Sequence, residues 1–177
     1  MEQKIQLHRP ERRRFIQGGV AATVMLSAGA LINPSEAWAL EVKAIKTSTA
    51  KTLIQLTRDI YPHDRIANQY YAVTVKGFDA KAAKDAAFKD MLEKGVTDLD
   101  AAAQKAHGRN YVDVGWEIQR NRILQTIENS PFFQAIRGDL VVSLYNQKEV
   151  WAVLGYEGES ASKGGYLKRG FDDLKWL

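Results

Sequence analysis

Cysteine is absent from the 177 residues of this chain. That removes thiolate-ligated iron–sulfur clusters, covalent c-type haem, zinc–thiolate sites and cysteine nucleophiles, and it leaves the fold no disulfide to lean on. Histidine is nearly as scarce, at three residues, His8, His63 and His107. The uncharged stretch of small and apolar residues from Gly18 to Ile32 stops at 15, short of the ~20 that a helix needs to span a bilayer. No glycine fingerprint follows a strand-like segment, and no phosphate loop is present. The formal charge of +4, from 25 basic and 21 acidic residues, is too small and too scattered for a nucleic-acid surface.

What is present begins with Glu11-Arg12-Arg13-Arg14-Phe15-Ile16-Gln17. Taking Arg12 and Arg13 as the pair leaves one free position before the apolar residues Phe15 and Ile16, the register of a twin-arginine export signal. Glu11 and Gln17 depart from the Ser or Thr and the Lys usual at those places. The uncharged run follows, Pro34 interrupts it, and Ala37-Trp38-Ala39 supplies the small-x-small box for signal peptidase. The expectation is a signal peptide over residues 1–39 and a mature chain from Leu40, exported to the periplasm. An uncut membrane tether, and a basic terminus leading into a buried helix, are the other readings of this segment. The leader holds five basic and three acidic residues, so 20 and 18 remain in the mature part.

The mature chain reads as one small, mainly α domain, a helical bundle over 40–154 followed by an irregular glycine- and aromatic-rich tail over 155–177. Leu53, Leu56 and Ile60 recur at helical spacing after a cap at Ser48 or Thr49, and Pro62 stops that helix. A second helix is expected from Asn68 to Phe78. From Asp79 an alanine-rich segment carries the stripe Phe88, Leu92, Val96, Leu99, Ala103 and Ala106, with Gly95 as a kink or break, and ends at His107-Gly108. Trp116, Ile123, Leu124 and Ile127 mark another helix, with Arg120 and Arg122 facing outward or pairing. Ser130-Pro131 opens the next, through Phe133, Ile136, Leu140, Val141 and Leu144 to Asn146. A short turn of helix through Val150, Trp151 and Leu154 completes the bundle. The tail holds five of the thirteen glycines, yet also Tyr156, Tyr166, Phe171 and Trp176, and disordered tails are poor in aromatics. It reads as ordered by packing, either on its own helices or on a partner.

Chemistry of its own is hard to find. His63-Asp64 suits an acid–base pair or part of a metal site. Beside it stands the plainer reading of a turn residue and a cap or ion pair with Arg65. His107 before Gly108 fits a helix C-terminus, where its charge suits the dipole. No serine motif accompanies either histidine. The pattern makes no case for an active site, a cofactor site or a metal site.

Several blocks occur together: the leader, Arg58-Asp59-Ile60-Tyr61-Pro62-His63-Asp64, Ile127-Glu128-Asn129-Ser130-Pro131-Phe132-Phe133, and Gly155-Tyr156-Glu157-Gly158 through Gly164-Gly165-Tyr166 to Gly170-Phe171-Asp172-Asp173 and Trp176-Leu177. In these the chain resembles the gluconate 2-dehydrogenase subunit 3 family, the small subunits of exported flavin-dependent sugar and alcohol dehydrogenases. Glu157 stands where the family pattern has proline. The resemblance implies a non-catalytic subunit that assists maturation and carries the export signal. Its partners would be the twin-arginine translocase, an FAD-dependent catalytic subunit of the glucose–methanol–choline type, and in many complexes a cytochrome c subunit. FAD would belong to the partner, and this chain would touch the membrane only through its signal segment or the complex. Residues for gripping that partner are expected at Trp151, Tyr156, Gly164, Gly165, Tyr166, Arg169, Gly170, Phe171, Asp172 and Trp176, since aromatics and arginine concentrate at hot spots and glycine permits close approach. The alternatives are a stand-alone periplasmic binding module and a small periplasmic enzyme using His63 and Asp64.

Overall fold

Six helices carry the apolar spacing into three dimensions, and the described residues contain no strand. They are α1 (Thr47–Ile60), α2 (Asn68–Ala82), α3 (Ala86–His107), α4 (Glu117–Ile127), α5 (Pro131–Tyr145) and α6 (Lys148–Leu154), with 3-10 turns at Tyr111–Asp113 and Ser160–Lys163. The structure, a computed structural model, describes residues 42–167. The signal residues Arg12, Arg13, Phe15 and Ile16, the cleavage residues Ala37, Ala39 and Leu40, and Arg169, Gly170, Phe171, Asp172 and Trp176 lie outside them.

Helices α1 to α5 enclose one apolar core. Leu53 and Leu56 of α1, Leu92 and Leu99 of α3, and Ile136 of α5 are all sealed within it. A smaller cluster, Ile66, Tyr71, Leu140, Leu144 and Val150, joins the α1–α2 turn to α5 and α6. The start of α5 follows from its sequence: Ser130 Oγ accepts from the Phe133 amide at 3.1 Å, and Pro131 takes the first helical position. Gly108 closes α3 in the left-handed conformation at φ 68°, where a side chain would be strained.

Three boundaries differ from the sequence reading. Ser48 and Thr49 lie inside the first turn of α1 rather than capping it, and the Thr49 hydroxyl donates instead to Glu93 at 2.8 Å. The second helix runs on past Phe78 to Ala82, so Asp79 sits inside it and the alanine-rich helix starts only at Ala86. Asp85 makes that break by accepting from the Phe88 amide at 3.0 Å. Asp79 is then free for a different task. Its carboxylate accepts from the backbone N–H groups of Lys43, Ala44 and Ile45 at 2.9, 2.8 and 2.9 Å, pinning the lead-in strand of chain to α2.

Burial opposes the charge on Asp79, but the three amide donors outweigh it and hold the carboxyl below its usual range. Glu93 is lowered in the same way: burial works against it, and the Lys46 amide and the Thr49 hydroxyl prevail. A folded pKa below the unfolded one contributes stability above the unfolded value of about 4. That contribution disappears as the pH falls through the folded value. The expected urea midpoint is therefore level from about pH 7 to 5 and drops below about pH 4, with a shallower acid limb in Asp79→Asn.

Gly95 does not end α3, which runs unbroken through it within a helix of 22 residues. It is buried because the Phe132 ring of α5 lies where its side chain would be; a Cβ there would come within 2.1 Å of that ring. Gly95→Ala gains about 1 kcal/mol of helix propensity but overpacks the contact by about 1–3 kcal/mol. Net destabilisation is the expected outcome in denaturant unfolding, with partial recovery on adding Phe132→Leu.

Candidate functional site

The block around Arg58 to Asp64 was the natural place to seek chemistry, and its side chains converge on the fold instead. Arg58 turns its guanidinium under the α1–α2 connection, donating to the carbonyl of Ile66 and to Asn68 Oδ1 at 2.9 and 3.0 Å. It also lies over the Tyr71 ring, 5.5 Å from the centroid. Tyr71 spans the same connection by donating to the Tyr61 carbonyl at 2.6 Å. Burial raises the Tyr71 phenol, with Arg58 acting against that rise, so it remains a proton donor.

Asp59 is the hub. Arg120 of α4 grips it with two bonds, Nε to Oδ2 at 2.7 Å and Nη2 to Oδ1 at 2.9 Å. Tyr111 donates its hydroxyl to Oδ2 at 2.7 Å, and Gln55 donates to Oδ1 at 3.0 Å. Arg120 Nη1 reaches the carbonyls of Val114 and Gly115 at 2.7 and 3.2 Å. One guanidinium thereby ties α1, the 3-10 turn and the entry to α4. Burial, followed by the Asp59 charge, pushes the Tyr111 phenol far up, while the bond to Asp59 raises Arg120 further. Tyr111 and Arg120 therefore both keep their protons across ordinary pH.

His63 does not pair with Asp64. Its Nε2 lies 2.7 Å from the Tyr145 hydroxyl of α5, with the two rings edge to face at 5.6 Å. Burial, then Tyr61, raises the Tyr145 phenol. Asp64 and Arg65 are both exposed, and no bond between them occurs among the described residues. Every buried side-chain nitrogen and oxygen among those residues has a hydrogen-bond partner, and no group of three His, Asp or Glu is placed there to hold a metal.

The residues expected to grip a partner divide into supports and exposed groups. Trp151 is a support: its indole N–H donates to the Tyr145 carbonyl, and its ring meets Tyr156 edge to face at 5.3 Å. The loop after α6 folds back over it, with Gly158 at φ 96° lying against the Trp151 ring. Lys163 closes the loop by donating to the Glu157 carbonyl, and the Gly165 amide donates to Ser160 O at 2.8 Å. Gly164 and Gly165 both adopt positive φ, 82° and 75°. At least as far as Leu167 the tail is therefore shaped by its own helix. It presents Tyr156, Tyr166 and Leu167 outward, at 50%, 59% and 89% exposure.

Two features escaped the sequence reading. Trp116 precedes α4 as its N-cap and is 73% exposed, not a core residue of that helix. Arg120 and Arg122 were indistinguishable by pattern; the first is half-buried and clamps the Asp59 hub, and the second faces solvent. The described residues include no helix long and apolar enough to cross a membrane. Comparisons with protein-family models, curated proteins and solved structures find no match to this chain.

Proposed function

We propose that this chain is the non-catalytic small subunit of a periplasmic, flavin-dependent sugar or alcohol dehydrogenase complex of the gluconate type. It assists maturation of the FAD-containing catalytic subunit and carries it through the twin-arginine route. The observation that carries the reading is the C-terminal loop: a glycine-shaped turn, stapled to Trp151, that holds Tyr156, Tyr166 and Leu167 out into solvent. Large apolar groups kept exposed on an ordered support are what an interface needs, because little side-chain and backbone freedom remains to be lost on docking. Within the block that offered chemistry, Arg58, Asp59 and His63 are each held by partners in the turn, the hub and α5.

The test is affinity isolation of the tagged, full-length chain from the periplasm of its native host, followed by mass spectrometry and an absorbance scan. A co-purifying large subunit that shows the visible absorbance of a bound flavin is the expected result. Purification of the chain alone, without flavin, would reject the proposal.

A further inference from the structure

A trough of about 560 Å³ runs between the C-terminal half of α3 and α4, away from the stapled loop in sequence and in its supporting helices. Its floor is small and apolar: Ala102 and Ala106, one turn apart on α3, and Ile123 of α4. The titratable side chains that line it are Lys105, His107 and Arg122, all basic. Among the described residues neither Lys105 nor Arg122 has an ion-pair partner, whereas Lys46, Lys81, Lys94, Arg120, Lys148 and Lys163 each have one. Ile118, one turn before Arg122 on α4, is 61% exposed and continues the apolar surface beyond the trough.

We propose that this trough seats an acidic amphipathic helix of the exported partner, an assignment that rests on the adaptor reading above. Alanines at i and i+4 let a third backbone come close, as helix-in-groove docking requires. From Ile118 to Thr126 the α4 face extends about 12 Å, room for roughly two turns of a docked helix. Carboxylates flanking that helix's apolar face meet Lys105 and Arg122 without displacing an existing pair. The trough is partly open to solvent, unlike the enclosing pockets that bury most of a small ligand.

The test places a photoreactive benzoylphenylalanine at Ala106 of the full chain in its native host and maps the crosslinked peptide. The expected peptide belongs to the flavin-containing subunit, has apolar residues at three-to-four spacing and carries net negative charge. Lys105→Glu with Arg122→Glu should lower the crosslink yield about tenfold or more, with the thermal midpoint unchanged. Undiminished flavoprotein recovery in that variant, with crosslinks arising only from probes at Tyr156 or Tyr166, would overturn the trough assignment and leave the adaptor reading standing. A crosslink to lipid would likewise overturn it. Capture of an acidic helix from a protein without flavin would support the trough and reject the dehydrogenase reading.

Discussion

Arg120→Ala is expected to lower the unfolding free energy by about 3–5 kcal/mol, a large fraction of the 5–15 kcal/mol typical of a domain. The reason is what it leaves behind. The Asp59 side chain is only 3% exposed and would be left facing Tyr111 and Gln55 without the guanidinium that holds it from two sides. The carbonyls of Val114 and Gly115 would lose their donor in the same step, loosening the entry to α4. Arg120→Lys should recover only part of the loss, because one ammonium cannot reproduce the two parallel bonds to Asp59. Replacing the whole cluster tells architecture from chemistry. Asp59→Leu with Arg120→Met and Tyr111→Phe removes both charges of the cluster together and should regain most of the stability. Urea unfolding of the purified variants reads all three. A fall of less than about 1 kcal/mol in Arg120→Ala would place the hub among ordinary surface pairs.

How far the sequence showed this fold depends on where each signal is written. Ser130-Pro131 and His107-Gly108 were legible because a cap and a left-handed stop are local, satisfied within a few residues. Asp79 misled because an acid before an alanine-rich run looks like a helix start, while its true partners are the amides of Lys43 to Ile45, 34 to 36 positions earlier. Gly95 looked like a flaw in a helix because its reason, the Phe132 ring, belongs to another helix. The candidate site obeyed the same limit. Tyr156 stood out as an aromatic among glycines and Trp151 as part of a short helix, but their division into exposed surface and support follows from the loop folding back. The trough left no trace in the sequence, since alanines and lysines on α3 are also the ordinary content of a solvated face.

Under the co-export proposal, the pair Arg12-Arg13 carries the remaining large effect. The twin-arginine route moves folded cargo, which suits a flavoprotein that has already bound FAD in the cytoplasm. A catalytic subunit without a signal of its own then crosses only while held by a chain that has one. The complex must survive transit, which calls for an interface of standard size, about 1,600 Å², rather than a transient touch. Tyr156, Tyr166, Leu167 and the trough supply two candidate parts of it. Arg12→Lys with Arg13→Lys keeps the charge and hydropathy of the leader while removing the recognised pair. The most direct measurement is the flavoprotein's distribution between cytoplasm and periplasm in that double variant, with Lys4→Ala as a leader control that leaves export intact. Co-export predicts that both subunits accumulate in the cytoplasm and that periplasmic dehydrogenase activity falls to background. Arrival of the flavoprotein in the periplasm at its normal level, while this chain stays behind, would contradict it.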